Sequence, residues 1–404
     1  MEKESSATVG IIANPASARD VRRIVAFGGA LTTHDKLNML ARLMAGLGVG
    51  GVGDVISMAD RSGIMVGLRR LAARPSAADW PALRFVEQPI THTEADTRQA
   101  TRAMVDAGVG AIVVLGGDGT NRVVASASGA VPVVSISTGT NNAFPRAVEP
   151  TVAGIAAALV ATDAACRAAA TYRAKTLTVA CGRRTEHALV DVAISRGDSV
   201  GSGAVWDTTL LSELFLSFAE ADAIGLSAIG GHLRPTSRTS PEGLAMALGT
   251  PGTVVAPPIG PGLVQPVAVR SVRRLAVDQP VEVLTAGGVI ALDGERMFRF
   301  GADETAQITL RADGPLVVDV AAALNHAAAN GLLASASADG DDSPPPHQPF
   351  SPNPPEAEAE GEATCSHPIG STSTPRWSGS VNTSPGSCRS TTPTRRPPGT
   401  SAPG

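Results

Sequence analysis

A three-layer α/β domain built on a parallel sheet, followed by a β-rich domain, is the fold class that this sequence predicts. Three observations lead there. Up to about residue 148, apolar runs of strand length alternate with segments of helical period. From 149 to 315 that alternation gives way to a helix and then a succession of short strand-like runs separated by turn residues. From about Ser335 the chain turns to Ser, Thr, Pro, Gly and acidic residues, as in Pro344-Pro345-Pro346. Such a composition cannot build a core, so residues 335–404 are expected to be a disordered tail.

The elements follow in order. Val9 to Ala13 reads as the first buried strand, and Asn14-Pro15-Ala16-Ser17 as the turn at its carboxyl end. Leu37, Leu40, Leu43, Met44 and Leu47 recur at helical spacing and mark one apolar face. Val55 to Met58 is a strand, Gly63 to Ala73 a helix, and Arg84 to Glu87 another strand. Thr93 caps a helix running to about Ala107, with Glu94 and Asp96 in its first turn, where the dipole favours carboxylates. Ala111 to Leu115 and Val131 to Ile136 are apolar runs of buried-strand type. Beyond Glu149-Pro150, a helix from Val152 to Ala161 precedes strands at 177–180 and 188–194, with a hairpin turn at Gly182-Arg183-Arg184. Thr208 to Ala221 reads as an apolar helix, and further short strands run on to Leu310.

Two loops carry the chemistry. The first is Gly116-Gly117-Asp118-Gly119-Thr120, which follows a buried strand and leads into a helix expected to start at Asn121. Glycines let the backbone approach an anion, and a helix N-terminus offers unpaired N–H groups and a positive dipole end. A carboxylate beside phosphates makes sense where a metal or a proton transfer needs it. The same five residues are also ordinary strand-to-helix turn chemistry. The second loop is Ser137-Thr138-Gly139-Thr140-Asn141-Asn142, at the end of the next strand. Two adjacent parallel strands would release both loops at the edge where open α/β sheets bind ligands. For Thr138 to Asn142, helix capping and turn formation are the structural alternative.

Composition sets limits on function. A net charge of -4 argues against a nucleic-acid binder driven by counterion release. With 3% aromatics, stacking platforms for bases are not expected. Lysine occurs only at Lys3, Lys36 and Lys175. The four cysteines, Cys166, Cys181, Cys365 and Cys388, lack metal-site or disulfide spacing. The N-terminus lacks the apolar segment of a signal peptide, and no apolar run is long enough to span a bilayer. A cytoplasmic protein with neither nucleic-acid nor membrane partners is the expectation.

Asn14-Pro15, the Gly-Gly-Asp-Gly-Thr turn and the Thr-Gly-Thr-Asn-Asn loop together resemble the superfamily of NAD kinases, diacylglycerol kinases and sphingosine kinases. Ser137 to Pro145 is similar to its acetoin catabolism protein X branch, described as ATP-NAD kinase-like. The likeness runs from about Val9 to about Ala334. It implies a nucleotide-binding first domain (residues 1–148), an acceptor-binding second domain (149–315) and a last segment (316–334) that returns to the first. It implies ATP and Mg2+ as cofactors, and often a homo-oligomer. It implies Asp118 as the base that takes the acceptor hydroxyl's proton, NAD being the acceptor in NAD kinases. Asn14, Pro15, Ser17, Arg19, Gly116, Gly117, Gly119 and Thr120 would meet the phosphates. Thr138, Gly139, Thr140, Asn141 and Asn142 would meet nucleotide or ribose.

Asp191 matches a family carboxylate that holds ribose hydroxyls, although Val190 stands where NAD kinases carry asparagine. Asp293-Gly294-Glu295 is an Asp-Gly turn on pattern alone, and the resemblance adds a metal or nucleotide contact for Asp293 and Glu295. The Gly-Ser-Thr-Ala-Tyr segment of NAD kinases is missing; Ser227 to His232 occupies a related position. The phosphotransfer half of the expected site is therefore intact and the acceptor half altered. A small polyol, a ketone-derived metabolite or a lipid is the alternative acceptor, and a non-catalytic nucleotide-binding regulator the alternative class.

Overall fold

The computed structural model describes residues 7–15, 27, 29, 31–139, 141–196 and 207–334, with the backbone alone at 296 and 297. The expected tail, 335–404, lies outside the described residues. The first elements are β1 (Thr8–Ala13), α1 (Thr33–Val49), β2 (Asp54–Ser57), α2 (Ile64–Ala72), β3 (Ala82–Phe85), α3 (Glu94–Asp106), β4 (Ala111–Gly116), α4 (Asp118–Ala125) and β5 (Val133–Ser137). Next come α5 (Pro150–Thr162), α6 (Ala164–Ala170), β6 (Thr171–Arg173), β7 (Thr176–Cys181), β8 (Arg184–Ala188), β9 (Asp191–Ser195) and β10 (Leu211–Leu216). The remainder is α7 (Ser227–Gly231), β11 (Glu242–Val255), β12 (Pro258–Gly260), β13 (Leu263–Val264), β14 (Val267–Ala276), β15 (Pro280–Glu282), β16 (Gly288–Leu292), β17 (Arg296–Phe300), β18 (Ala306–Arg311), β19 (Leu316–Val318) and α8 (Val320–Ala329).

The first sheet runs β3-β2-β1-β4-β5-β19-β6. It is parallel from β3 through β19, and β6 closes it antiparallel. Every residue of β4 is buried, as a strand covered on both faces must be. One covering layer holds α1, which places Leu40, Leu43, Met44 and Leu47 in the core and is closed at its N-terminus by a Thr32–Asp35 capping box. α5 lies against α1 at glycines: a Cβ on Gly46 would run into the Thr151 carbonyl oxygen. The α5–α6 pair, β6, β19 and α8 thus build this lobe too, and Val318, Ala323 and Ala327 share its core. On the opposite face, Ala100 and Met104 of α3 and Val124 of α4 pack with Ile12, Ile112 and Val114.

The second lobe is β-rich. Six antiparallel strands run β14-β11-β10-β9-β16-β17, and four run β15-β18-β7-β8. Val192, Ile194, Phe215 and Ile290 of the larger sheet meet Leu177, Val179, Ile308 and Leu310 of the smaller one. The other face of the larger sheet, with Leu214, Leu216 and Met246, is covered by Leu226, Ile229 and Ile259. All described residues fall in one compact unit. No single helix among them is long and apolar enough to cross a membrane.

Two expectations are corrected here. The apolar helix expected over 208–221 is a short 3-10 turn, Thr208–Leu210, followed by β10. β10 is buried on both faces, so it carries no alternation to distinguish it from a buried helix. The helix expected to start at Asn121 starts at Asp118, capped by Gly117, so the acidic residue belongs to the helix's first turn.

Candidate active site

The strand order grows outward on one side as β1, β2, β3 and on the other as β4, β5. The junction of β1 and β4 is therefore a topological switch point, the place where open α/β sheets hold a ligand crevice at the carboxyl ends of their strands. The backbone N–H of Asn14 donates to the Leu115 carbonyl at 3.2 Å, and its Nδ2 to Thr120 Oγ1 at 2.9 Å. Beneath them lies Lys36 of α1, only 2% exposed. Its Nζ donates to the carbonyls of Asn14 at 3.0 Å and Pro15 at 2.9 Å. A buried ammonium thus holds the shape of the first loop and places positive charge below it.

The glycines of the second turn let three neighbouring side chains come close to its backbone. A Cβ on Gly116 would lie 2.6 Å from the Thr120 Cβ, one on Gly117 2.7 Å from Asn142 Oδ1, and one on Gly119 2.5 Å from Glu295 Oε2. Asn142 Nδ2 donates to Ser137 Oγ at 2.9 Å, and Ser137 Oγ to the Gly139 carbonyl at 2.8 Å, which braces the second loop from within, and the approach of Asn142 to Gly117 sets the two expected loops against each other. Asn121 ties them from below, donating to the Gly117 carbonyl and accepting from Ser135. Asn141 faces Gly225 of the second lobe, and Thr138 is buried.

Asp118 is 8% exposed. Its carboxylate accepts from the N–H groups of Ala143, at 3.1 and 3.2 Å, and Phe144, at 2.8 Å. Burial pushes its carboxyl up to about 7, helped by the nearby charges of Asp293 and Glu295 and opposed by those two N–H donors. A carboxyl poised there exchanges protons readily near neutral pH, the property that a general base requires.

Asp293 is turned inward. Arg122 Nη1 of α4 meets its Oδ2 at 2.8 Å, with the Asp293 side chain 0% exposed. The same carboxylate accepts from the N–H groups of Leu189, Val190 and Asp191. Asp293 and Gly294 both have positive φ, 49° and 66°, as a type I′ turn demands. The turn thus presents Glu295 to Gly119 while Asp293 ties the two lobes together. Asp191 is buried beside it.

Asp118, Asn14, Pro15, Gly116, Gly117, Gly119, Thr120, Thr138, Gly139, Asn141, Asn142, Asp293 and Glu295 therefore gather around the crevice and the start of α4, with Asp191 behind the Asp293 turn. Ser17, Arg19 and Thr140 lie outside the described residues. His232 is exposed just after the buried α7. Among the described residues no three His, Cys, Asp or Glu side chains cluster as a metal cage. The side chains alone do not fit a protein-built magnesium site; a cation would need its other ligands from phosphate oxygens and water. Sequence reasoning missed Lys36 and Arg122. Lys36 sits where a helix face should be apolar, which is a signal; the partner of Arg122 lies 171 positions away and leaves none.

Over 337 residues the chain is 43% identical to the acetoin catabolism protein X of Cupriavidus necator, covering 81% of this chain and 94% of that protein. The chain belongs to the acetoin catabolism protein X family. Residues 175–313 match the acetoin catabolism protein X C-terminal domain, and residues 9–164 match the ATP-NAD kinase N-terminal domain. Among solved structures it is similar to an NAD kinase from Archaeoglobus fulgidus in complex with ATP, at 13% identity and a TM-score of 0.33, covering 81% of this chain and 100% of that one. In this family member residues 9–164, which include Asp118, are thus NAD kinase-like.

Proposed function

We propose that the chain is an ATP-dependent kinase that phosphorylates a hydroxyl group, in the cytoplasm, with Asp118 as its base and NAD as the first acceptor to test. The single observation that supports it best is Asp118 itself: a buried carboxyl, raised to about 7, on the first turn of α4 beside the crevice. A structural aspartate gains little from such a position. In the proposed step the acceptor oxygen bonds to the γ-phosphorus of ATP, the bond to the β,γ-bridging oxygen breaks, and ADP leaves. The hydroxyl proton passes to the Asp118 carboxylate. Gly116, Gly117, Gly119 and Thr120 would meet the phosphates through N–H groups and one hydroxyl, with Asn14 beside them holding Thr120 and Lys36 as fixed positive charge. Thr138, Gly139, Thr140, Asn141 and Asn142 would meet nucleotide or ribose.

A second acceptor, a small hydroxylated metabolite, is favoured by position 190. Val190 is wholly buried, with its N–H donating to Asp293 and its carbonyl accepting from Ser217, so no side-chain amide is offered to a ribose there. The test is NADP formation by the purified chain with ATP, Mg2+ and NAD, next to a panel of small polyols and hydroxyketones. NADP made by wild type and not by Asp118→Asn supports NAD as acceptor. Phosphate transfer to a panel compound without NADP moves the acceptor. Transfer to no acceptor, with ATP still bound, rejects the kinase reading in favour of a nucleotide-binding regulator.

A further inference from the structure

We propose that Arg238, on the loop between α7 and β11 of the second lobe, is the positioning residue for Asp118. Its Nη2 donates to the Ala143 carbonyl at 2.5 Å and its Nη1 to the Phe144 carbonyl at 2.6 Å. The Ala143 carbonyl and the Phe144 N–H belong to one peptide group, and that N–H holds Asp118 Oδ1 at 2.8 Å. A hydrogen-bond chain therefore runs from guanidinium through one peptide to carboxylate. Polarising the carbonyl end strengthens the N–H end. The second lobe thus fixes where the carboxylate points and how firmly it is held, although Arg238 does not touch it.

The guanidinium is itself locked. Its Nε and Nη2 meet the Glu220 carboxylate at 3.1–3.2 Å, and its Cζ lies 4.2 Å from the Phe218 ring centre. Glu220 also takes Arg146 Nη2 at 2.8 Å. Tyr172 contacts Arg238 from β6. Lys175 braces the loop from behind, donating to the carbonyls of Ser237 and Glu242. Only a planar fork with several donors can serve two carbonyls and a carboxylate at once, so lysine cannot replace it. The other charges facing Asp118 are Asp293 and Glu295 from the β16–β17 turn, with Arg122 of α4 paired to Asp293.

The effect on turnover rests on the kinase reading; the effect on the carboxyl does not. The experiment labels aspartate carboxyl carbons with 13C in the full chain and follows the Asp118 signal, identified by its loss in Asp118→Asn, against pH. Arg238→Lys should raise its titration midpoint by on the order of one pH unit, since a weakened N–H donor favours the protonated form. Glu220→Gln, which only loosens the guanidinium, should raise it less. Arg234→Lys, on the same loop with its distant Glu242 partner at 3.8 Å, should leave it unchanged. Where phosphate transfer is measurable, kcat in Arg238→Lys should fall about tenfold to a hundredfold with KM for ATP unmoved and the pH optimum displaced upward. A midpoint in Arg238→Lys and Glu220→Gln that coincides with wild type overturns the proposal, as does an equal shift in Arg234→Lys. If Arg238→Lys fails to fold, Glu220→Gln decides. A shifted midpoint in a protein that transfers no phosphate keeps the positioning role and rejects the kinase reading.

Discussion

Replacing Asp118 by asparagine should make the protein more stable, and increasingly so as pH rises. The ordinary value for this carboxyl is 3.8, and burial with the Asp293 charge moves it to about 7. Below pH 3.8 the group is protonated in both folded and unfolded chains and contributes no difference. Between 3.8 and about 7 the unfolded chain loses the proton while the folded one keeps it, so wild-type stability falls with rising pH. Above that range the loss levels off at about 4 kcal/mol, at roughly 1.4 kcal/mol per pH unit. The asparagine side chain removes the charge and keeps an oxygen for the Phe144 N–H, but its amide meets the Ala143 N–H as a second donor, a penalty of about 1 kcal/mol. The net gain should be about 2–3 kcal/mol at about pH 8 and none at about pH 4. Urea unfolding of both proteins at several pH values across that range measures it. Parallel stability curves, or an asparagine variant that is the weaker at the alkaline end, would refute the reasoning that Asp118 is a strained carboxyl.

Three further outcomes follow from the same geometry. Arg122→Met should destabilise the protein by about 3–5 kcal/mol in urea unfolding, since it strands the buried Asp293 carboxylate, whereas Arg122→Met with Asp293→Asn should recover part of that loss. Gly46→Ala should lower the thermal midpoint and cost about 3 kcal/mol or more, because its Cβ would meet the fixed Thr151 carbonyl rather than a movable side chain. Lys36→Met should weaken ATP binding measured by calorimetry by at least about tenfold, since it unpairs the Asn14 and Pro15 carbonyls and removes the charge below them.

Much of this arrangement was readable from residues, and the reason is local. The strand Ala111–Gly116 is continuous and apolar, the helix behind it begins in glycines, and Thr93 caps its helix as the side chain suggests. Each of those signals spans a few residues. β10 was not readable because a strand buried on both faces shows neither period 2 nor period 3.6. Asp293 read as a ligand candidate because an Asp-Gly turn says where the chain reverses but not which way the carboxylate faces. Its inward direction is decided by Arg122 and by three N–H groups about a hundred residues away. Arg238 is hidden for the same reason: its task is set by carbonyls of residues 143 and 144.

The measurement that tests the central claim most directly compares wild type and Asp118→Asn for ATP affinity and for transfer of labelled γ-phosphate to any acceptor. If Asp118 is the base, the variant binds ATP within about twofold of wild type and loses turnover by at least about a hundredfold. Equal turnover in the two proteins would contradict that role, however well both bind the nucleotide.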